Sequence, residues 1–253
     1  MMAPLALFSI ALLLCIAFSL YSYHRACRHV AAGDNASTQL IDGTLALIQL
    51  LQKHRGLGAQ QSGVAVTQRT QIAREIDYRW RDWAIHLGDL EYLQTQWMRL
   101  KNTPSDFEGH SHIIKDLLGF IEILALRVNG PALDQRLAFA ERCRALEDLA
   151  KLRGLSARAA NYPQCPIELK VMLKYLCTNL HSSGLQNSSN ALRAALNEIN
   201  QNMLDANRTT ISAARCFEIL TPIIDEALDE LRQSINTLNQ SSNHQQMNLA
   251  YVV

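Results

Sequence analysis

Two arginines at equivalent positions of a short internal repeat are the side chains best suited to chemistry in this sequence. Residues 53–59 read Lys-His-Arg-Gly-Leu-Gly-Ala and residues 151–157 read Lys-Leu-Arg-Gly-Leu-Ser-Ala, so five of seven positions match. A guanidinium is planar and always charged, and it can give two parallel hydrogen bonds to the edge of an oxyanion. The repeat therefore presents Arg55 and Arg153 at equivalent places in two related halves.

The same spacing is also typical of a helix C-terminus. Cations there stabilise the negative end of the helix dipole, and a glycine supplies the left-handed residue after the last turn. However, Leu57 and Leu155 are good helix formers directly after the two glycines. The whole Arg-Gly-Leu triplet is also repeated, although a cap needs only the glycine. Spacing alone leaves both interpretations open, a helix cap and a pair of functional arginines.

The elements that must position these arginines are predicted to be helices. Apolar residues recur three or four positions apart through most of 38–240, and no segment alternates with the period of a strand. The predicted helices cover about 38–56, 66–100, a segment opened by the capping box Ser105–Glu108, a segment from 131 to a break at 161–166, 167–182, 185–220, and a last helix that starts or kinks at Pro222. We therefore expect an all-α fold of antiparallel bundles, with halves of about 38–129 and 131–240 and a flexible tail over 241–253.

The N-terminus is predicted to anchor the chain in a membrane. After a short segment at 1–4, residues 5–23 carry no charge and are long enough to span a bilayer as one helix, and 24–37 form a linker. No Lys or Arg precedes the apolar run and no small-residue cleavage site follows it, which favours an uncleaved anchor over a signal peptide. Arg25 and Arg28 favour a cytoplasmic domain on a bacterial inner membrane. A periplasmic orientation stays open.

Composition and motifs argue against several classes of function. The charge is balanced, with 24 Lys+Arg against 23 Asp+Glu, so the sequence offers no case for a nucleic-acid partner. The six cysteines include no C-x-x-C pair, and we expect buried, reduced thiols. His110 and His112 are two residues apart, point to different faces of a helix, and are predicted to form a surface turn and no metal site. With no catalytic constellation or cofactor motif, we expect a binding protein and no enzyme.

The repeat and its setting resemble the nitrate- and nitrite-sensing (NIT) domain family. The resemblance rests on Leu50-Leu51-Gln52-Lys53-His54-Arg55-Gly56-Leu57 before a long helix, echoed by Lys151-Leu152-Arg153-Gly154-Leu155-Ser156, and covers about 36–240. It implies two four-helix bundles that bind nitrate or nitrite, with Arg55 and Arg153 as ligands. Two facing guanidiniums repel each other, and an anion between them relieves that repulsion, so that it favours one arrangement of the bundles.

Two positions depart from the family pattern. His54 replaces the acidic residue that commonly precedes the first motif arginine, and we expect its side chain to point to solvent. Gly58 replaces the serine that often follows Arg-Gly-Leu, whereas Ser156 keeps it in the second copy. One polar contact in the first half is therefore in doubt.

Two functional hypotheses follow from these patterns. The first is a membrane-anchored sensor that binds nitrate, nitrite or another small oxyanion between the two arginines. Its output would pass through a homodimer or a separate signalling protein. The second is a membrane-tethered helical scaffold that has lost the ligand, a hypothesis that the replacement by His54 keeps alive.

Overall fold

The computed structural model describes residues 36–58, 60, 62–83, 91–128, 131–183, 185 and 189–250. These residues form eight helices and no strand, which confirms the predicted all-α class. The helices are α1 (36–57), α2 (Gly63–Trp83), α3 (Glu91–Leu100), α4 (Phe107–Arg127), α5 (Leu133–Ala159), α6 (Ile167–Ser182), α7 (Ser189–Ile199) and α8 (Ala213–Ala250). A π-helical turn, Asn200–Leu204, follows α7 directly.

The membrane anchor that we predicted at 5–23 lies outside the described residues, as do the N-terminal segment 1–4 and most of the linker. Among the helices that the structure describes, none combines the length and the apolar character needed to cross a bilayer.

The eight helices form two successive sets of four, α1–α4 and α5–α8, around one continuous apolar core. In α1, Ile41, Leu45 and Ile48 follow one another at intervals of four and three and are all buried, which is the stripe of an amphipathic helix. The long helix α5 packs against α4, α6 and α8. It therefore lies at the junction of the two sets, and it carries the second copy of the repeat.

The helix that we predicted over 66–100 is two helices. Asp77 of α2 accepts hydrogen bonds from Trp97 (2.8 Å) and Lys101 (3.2 Å), which lie 20 and 24 positions later. A continuous helix would hold these residues about 30 Å apart at 1.5 Å per residue, so α2 and α3 must run side by side. In the sequence, the apolar periodicity continues across the turn-favouring pair Gly88-Asp89, so it gave no indication that the helix ends.

The helix predicted over 185–220 is also interrupted. After the π-helical turn, residues 205–212 leave the helix, and their backbone is held by bonds from the Thr209 amide to the Pro163 carbonyl and from the Thr210 amide to the Asn202 carbonyl. Helix α8 starts at Ala213 and continues through Pro222 to Ala250, across the segment expected to form a flexible tail. Pro222 therefore lies inside a helix and does not start one.

Two smaller expectations concern the N-cap of α4 and the state of the cysteines. The N-cap of α4 is Asp106, whose carboxylate accepts a bond from the Gly109 amide, and not Ser105 as the capping box predicted. The four cysteines that the structure describes, at 143, 165, 177 and 216, are buried free thiols, as predicted.

Gly58 closes α1 against the turn that leads into α4. Its amide bonds to the carbonyl of Arg55 at 3.1 Å, and a Cβ at this position would fall inside van der Waals contact with the carbonyl oxygen of Pro104. Because the obstacle is backbone, it has no rotamer by which to move aside. The serine that stands at this place in the second copy would therefore not fit in the first.

We expect Gly58→Ala to lower the free energy of unfolding by about 1–3 kcal/mol, since the added methyl group overpacks a backbone contact. Gly119→Ala is the matched control, because Gly119 lies inside α4 with open space around it, and alanine there should be neutral or stabilising by up to ~1 kcal/mol. Urea denaturation followed by circular dichroism measures both. Equal stability of the two variants would contradict the close approach at Pro104.

Candidate functional site

Arg55 lies near the end of α1 and is bound to a carboxylate of the other half. It is only 3% exposed. Its two terminal nitrogens reach the two carboxylate oxygens of Glu147 on α5, at 2.7 and 3.1 Å, in a bidentate ion pair. The first of these nitrogens also donates to the hydroxyl of Ser111 on α4 at 2.9 Å. The charge of Arg55 is thus neutralised within the protein.

Glu147 is held by two further donors. The side-chain amide of Gln52 donates to its carboxylate at 3.0 Å, and the ammonium of Lys151 lies 3.7 Å from it, one turn along α5. A buried ion pair is retained only when such additional bonds satisfy the remaining lone pairs. Because Arg55 and Gln52 belong to α1, this network joins the first bundle to the second.

Arg153 is also buried, at 6% exposure, but its polar surroundings are much poorer. One terminal nitrogen donates to the Thr221 hydroxyl at 3.1 Å, and its buried Nε has no hydrogen-bond partner. No carboxylate of the described residues forms an ion pair with it. Burial lowers the pKa of Arg153 to about 10; the charge of Asp225 opposes this shift and that of Arg55 adds to it.

The two arginines have matching surroundings, which the structure makes visible as a second repeat. The guanidinium of Arg55 lies 4.6 Å from the ring centre of Phe107, and that of Arg153 lies 5.3 Å from the ring centre of Phe217. Each hydroxyl partner follows its phenylalanine by four residues. The sequences Phe-Glu-x-x-Ser-x-Ile-Ile from 107 and Phe-Glu-x-x-Thr-x-Ile-Ile from 217 carry these residues at the same spacing. α1 and α4 therefore correspond to α5 and α8.

The glycines of the repeat do not act as helix caps, and Gly154 has a packing role. Gly56 lies inside α1 and Gly154 inside α5, which continues to Ala159. A Cβ on Gly154 would lie 3.0 Å from the Phe107 ring, and one on Gly56 would lie 3.8 Å from the Phe217 ring. Each phenylalanine thus lies near the arginine of its own half and faces the glycine of the other half, and only the approach of Phe107 to Gly154 is too close for a larger residue. The cap interpretation of the repeat is therefore wrong.

A cavity of about 460 Å3 opens beside Arg153 but does not include Arg55. It is lined by Arg153, Thr221 and Phe217 of α5 and α8, together with residues of α1 and α2. The polar members from α1 and α2 are Lys53, Gln68, Gln71 and Glu75. The charged residues of the lining are therefore two cations, Lys53 and Arg153, and one anion, Glu75, which also forms an exposed ion pair with Arg79.

Two histidines form a buried pair beside Arg55. His110 Nδ1 lies 2.6 Å from the Asp106 carbonyl oxygen and must donate to it, so its Nε2 accepts the 2.8 Å bond from Nδ1–H of His54. The ring of Trp97 meets His54 edge-on at 5.0 Å. Burial is the largest cause that lowers the pKa of both, to about 3 for His54. His54 does not point to solvent and His110 is not in a surface turn, so both expectations were wrong.

The two predicted site residues thus have different roles. The structure brings Arg55 and Arg153 within electrostatic reach of each other, but only Arg153 lines a cavity. Sequence reasoning missed Glu147, which carries an acid where the first copy has Gln49, and also missed Ser111 and Thr221. The signal available for the last two was the second repeat beginning at Phe107 and Phe217.

No protein-family model matches this chain, and no characterised protein or solved structure is significantly similar to it. Within the described residues, no cluster of three or more His, Cys, Asp or Glu side chains is placed to hold a metal ion.

The buried histidines predict a loss of stability in mild acid. Their pKa values are lowered in the folded state, so the unfolded chain takes up protons first as the pH falls below 6.5, toward the folded value of about 3 for His54. The free energy of unfolding should fall by up to about 1.4 kcal/mol per pH unit for each such proton. Denaturation measured from pH 7.5 to pH 5 tests this above the range in which most carboxylates titrate.

A double variant supplies the comparison for this pH dependence. His54→Leu with His110→Leu installs the pair that the second half has in Leu152 and Leu220, both buried, and should flatten the pH profile. His112→Gln alters an exposed histidine on the same helix and should leave the profile unchanged. A profile that stays as steep in the double variant as in the parent chain would contradict the assignment.

Proposed function

We propose that this chain is a membrane-anchored sensor that binds nitrate or nitrite beside Arg153 and passes a helix movement to a partner protein. The observation that carries the proposal is a buried arginine with an unpaired Nε and no carboxylate partner among the described residues. Burying an uncompensated charge costs several kcal/mol, and an anion in contact with the guanidinium offsets that cost. The membrane anchor rests on the sequence of residues 5–23 alone.

The donors around Arg153 suit a small, flat monoanion. The guanidinium offers its Nε–H, and the Thr221 hydroxyl, which accepts a bond from Arg153, keeps its own proton to donate. Phe217 covers one face of the guanidinium, which leaves the donor edge for the ligand. Lys53 adds positive charge to the cavity wall. Nitrate and nitrite both have coplanar oxygens that match such an edge.

In this proposal the anion contacts Arg153 and is not shared equally between the two motif arginines. Arg55 is already ion-paired with Glu147 and does not line the cavity, so Arg153 is the direct ligand. Arg55 acts through space instead, since its charge is one of the causes that lower the pKa of Arg153. Anion binding supplies Arg153 with the counter-charge that Arg55 already has in Glu147, and it favours the helix arrangement that brings the anion onto Arg153, which is the differential interaction that a switch requires.

The helices that form the site also offer a route for the signal. Arg153 belongs to α5 and its partner Thr221 to α8, two helices that pack extensively against each other. Thr221 is followed by Pro222, which has no amide hydrogen for the helix ladder and so weakens α8 at this point. α8 then continues to Ala250, so a change of angle at Pro222 displaces the distal end of the helix.

One observation favours the alternative of a tethered helical scaffold. The internal ion pair between Arg55 and Glu147 already satisfies one motif arginine without any ligand. If Arg153 stays buried without binding an anion, the fold serves to hold partner proteins at the membrane. Anion binding by the purified chain separates the two functions.

Titration calorimetry of the full-length chain with sodium nitrate and sodium nitrite, against sodium chloride at equal ionic strength, tests the sensor proposal. We expect saturable binding of the flat anions that Arg153→Ala weakens about 10- to 100-fold, because charged hydrogen bonds contribute about 1.5–3 kcal/mol. Arg153→Lys keeps the charge but loses the planar fork, and should restore only part of the affinity.

Arg144→Ala is the matched control, since Arg144 lies on the same helix, is about half exposed and pairs with Glu122. It should bind the anions as the parent chain does. Absence of heat and of any thermal shift at millimolar nitrate and nitrite would leave the scaffold as the function. Binding that persists in Arg153→Ala would mean that the site lies elsewhere.

A further inference from the structure

The two buried arginines have corresponding neighbours, with the exception of one carboxylate, that of Glu147. The corresponding groups around the two arginines are Ser111 and Phe107 for Arg55, and Thr221 and Phe217 for Arg153. The difference between them is the carboxylate of Glu147, which accepts two parallel bonds from Arg55. A carboxylate and a nitrate ion present the same flat pair of oxygens to a guanidinium.

We infer that the pocket of Arg55, Ser111 and Phe107 is a second, latent site for a flat oxyanion, which Glu147 closes with its own carboxylate. The inference deepens the proposed function, since it uses the same ligand chemistry, but it rests on contacts around Arg55 and not on the cavity at Arg153. It assigns one external anion to each chain. The first half-site holds an internal anion instead.

The repeat supports this assignment at the level of single residues. The position equivalent to Glu147 in the first copy is Gln49, so the second half-site is not supplied with a carboxylate from the first. Arg153 accordingly has no carboxylate partner among the described residues, whereas both terminal nitrogens of Arg55 are bonded to Glu147. The difference between Glu147 and Gln49 thus distinguishes the closed half-site at Arg55 from the open one at Arg153.

The closed half-site is also built to hold a negative charge. Besides Arg55, the carboxylate of Glu147 receives a bond from Gln52 and lies near the ammonium of Lys151. The amide and the two cations come from two helices and converge on one point, with Glu147 nearly fully buried. If the carboxylate is removed, the same donors remain around a space of about its size.

Removing this carboxylate should therefore create an anion requirement that sodium nitrate can satisfy. We expect Glu147→Ala to lower the melting temperature of the full-length chain and sodium nitrate to restore much of the loss, well beyond the effect of sodium chloride at equal ionic strength. Glu147→Gln is the matched control, because it removes the charge but fills the space, and nitrate should restore little of its stability.

A background without the open site separates this inference from the proposed function. Arg153→Ala alone should lose nitrate binding, and Arg153→Ala with Glu147→Ala should regain it at least ten-fold, through Arg55. Adding Arg55→Ala should abolish it again. Where a Glu147→Ala chain does not fold in chloride, the yield of folded protein on refolding into nitrate, compared with chloride, gives the same readout.

Each outcome decides one of the two claims. If the parent chain binds nitrate but the Glu147→Ala, Arg153→Ala chain does not respond to it, the latent site is excluded and the proposed function stands. If only the chains lacking Glu147 respond, the latent site stands and the proposed sensor site at Arg153 is wrong. A response in none of these chains overturns both.

Discussion

Two guanidiniums are buried within electrostatic reach of each other, and much of the architecture at the junction of the bundles follows from compensating them. An arginine cannot shed its proton to avoid burial as a lysine can, so its charge must be met by an anion or by dipoles. Arg55 is met by Glu147, together with Ser111 and an aromatic face. Arg153 has the hydroxyl and the aromatic face without the acid. The asymmetry between the halves is therefore an asymmetry of charge.

The two copies of the repeat carry different polar side chains at equivalent positions. The first half buries the pair His54 and His110 where the second buries Leu152 and Leu220, and the second has Glu147 where the first has Gln49. The exchange of the histidine pair for the leucine pair leaves all four positions buried, whereas Glu147 is buried and Gln49 is half-buried. Neutral histidines beside Arg55 also add no charge to the one that Glu147 already balances.

The sequence predicts the helical class and the equivalent placement of the two arginines because both depend on local spacing. Apolar periodicity was misleading at the connection between α2 and α3, where it continued through Gly88-Asp89, and at 205–212, where one long-range bond, from the Thr209 amide to the Pro163 carbonyl, helps to hold the chain outside the helix. The ion pair of Arg55 with Glu147 joins residues 92 positions apart, so no local pattern contains it. The burial of His54 likewise depends on Trp97 and His110, which tertiary packing brings beside it.

A close contact at Gly154 links the first arginine to the other half. The ring of Phe107 lies under the guanidinium of Arg55 and comes within 3.0 Å of the position that a Cβ on Gly154 would take. The ring of Phe217 lies near Arg153 in the same way but leaves room for a Cβ on Gly56, at 3.8 Å. Because closely packed side chains transmit displacement instead of absorbing it, a movement of the Arg55 guanidinium shifts the Phe107 ring against α5. The repeat thus couples a charged group closely to the opposite half at one of its two copies, a second asymmetry beside that of charge.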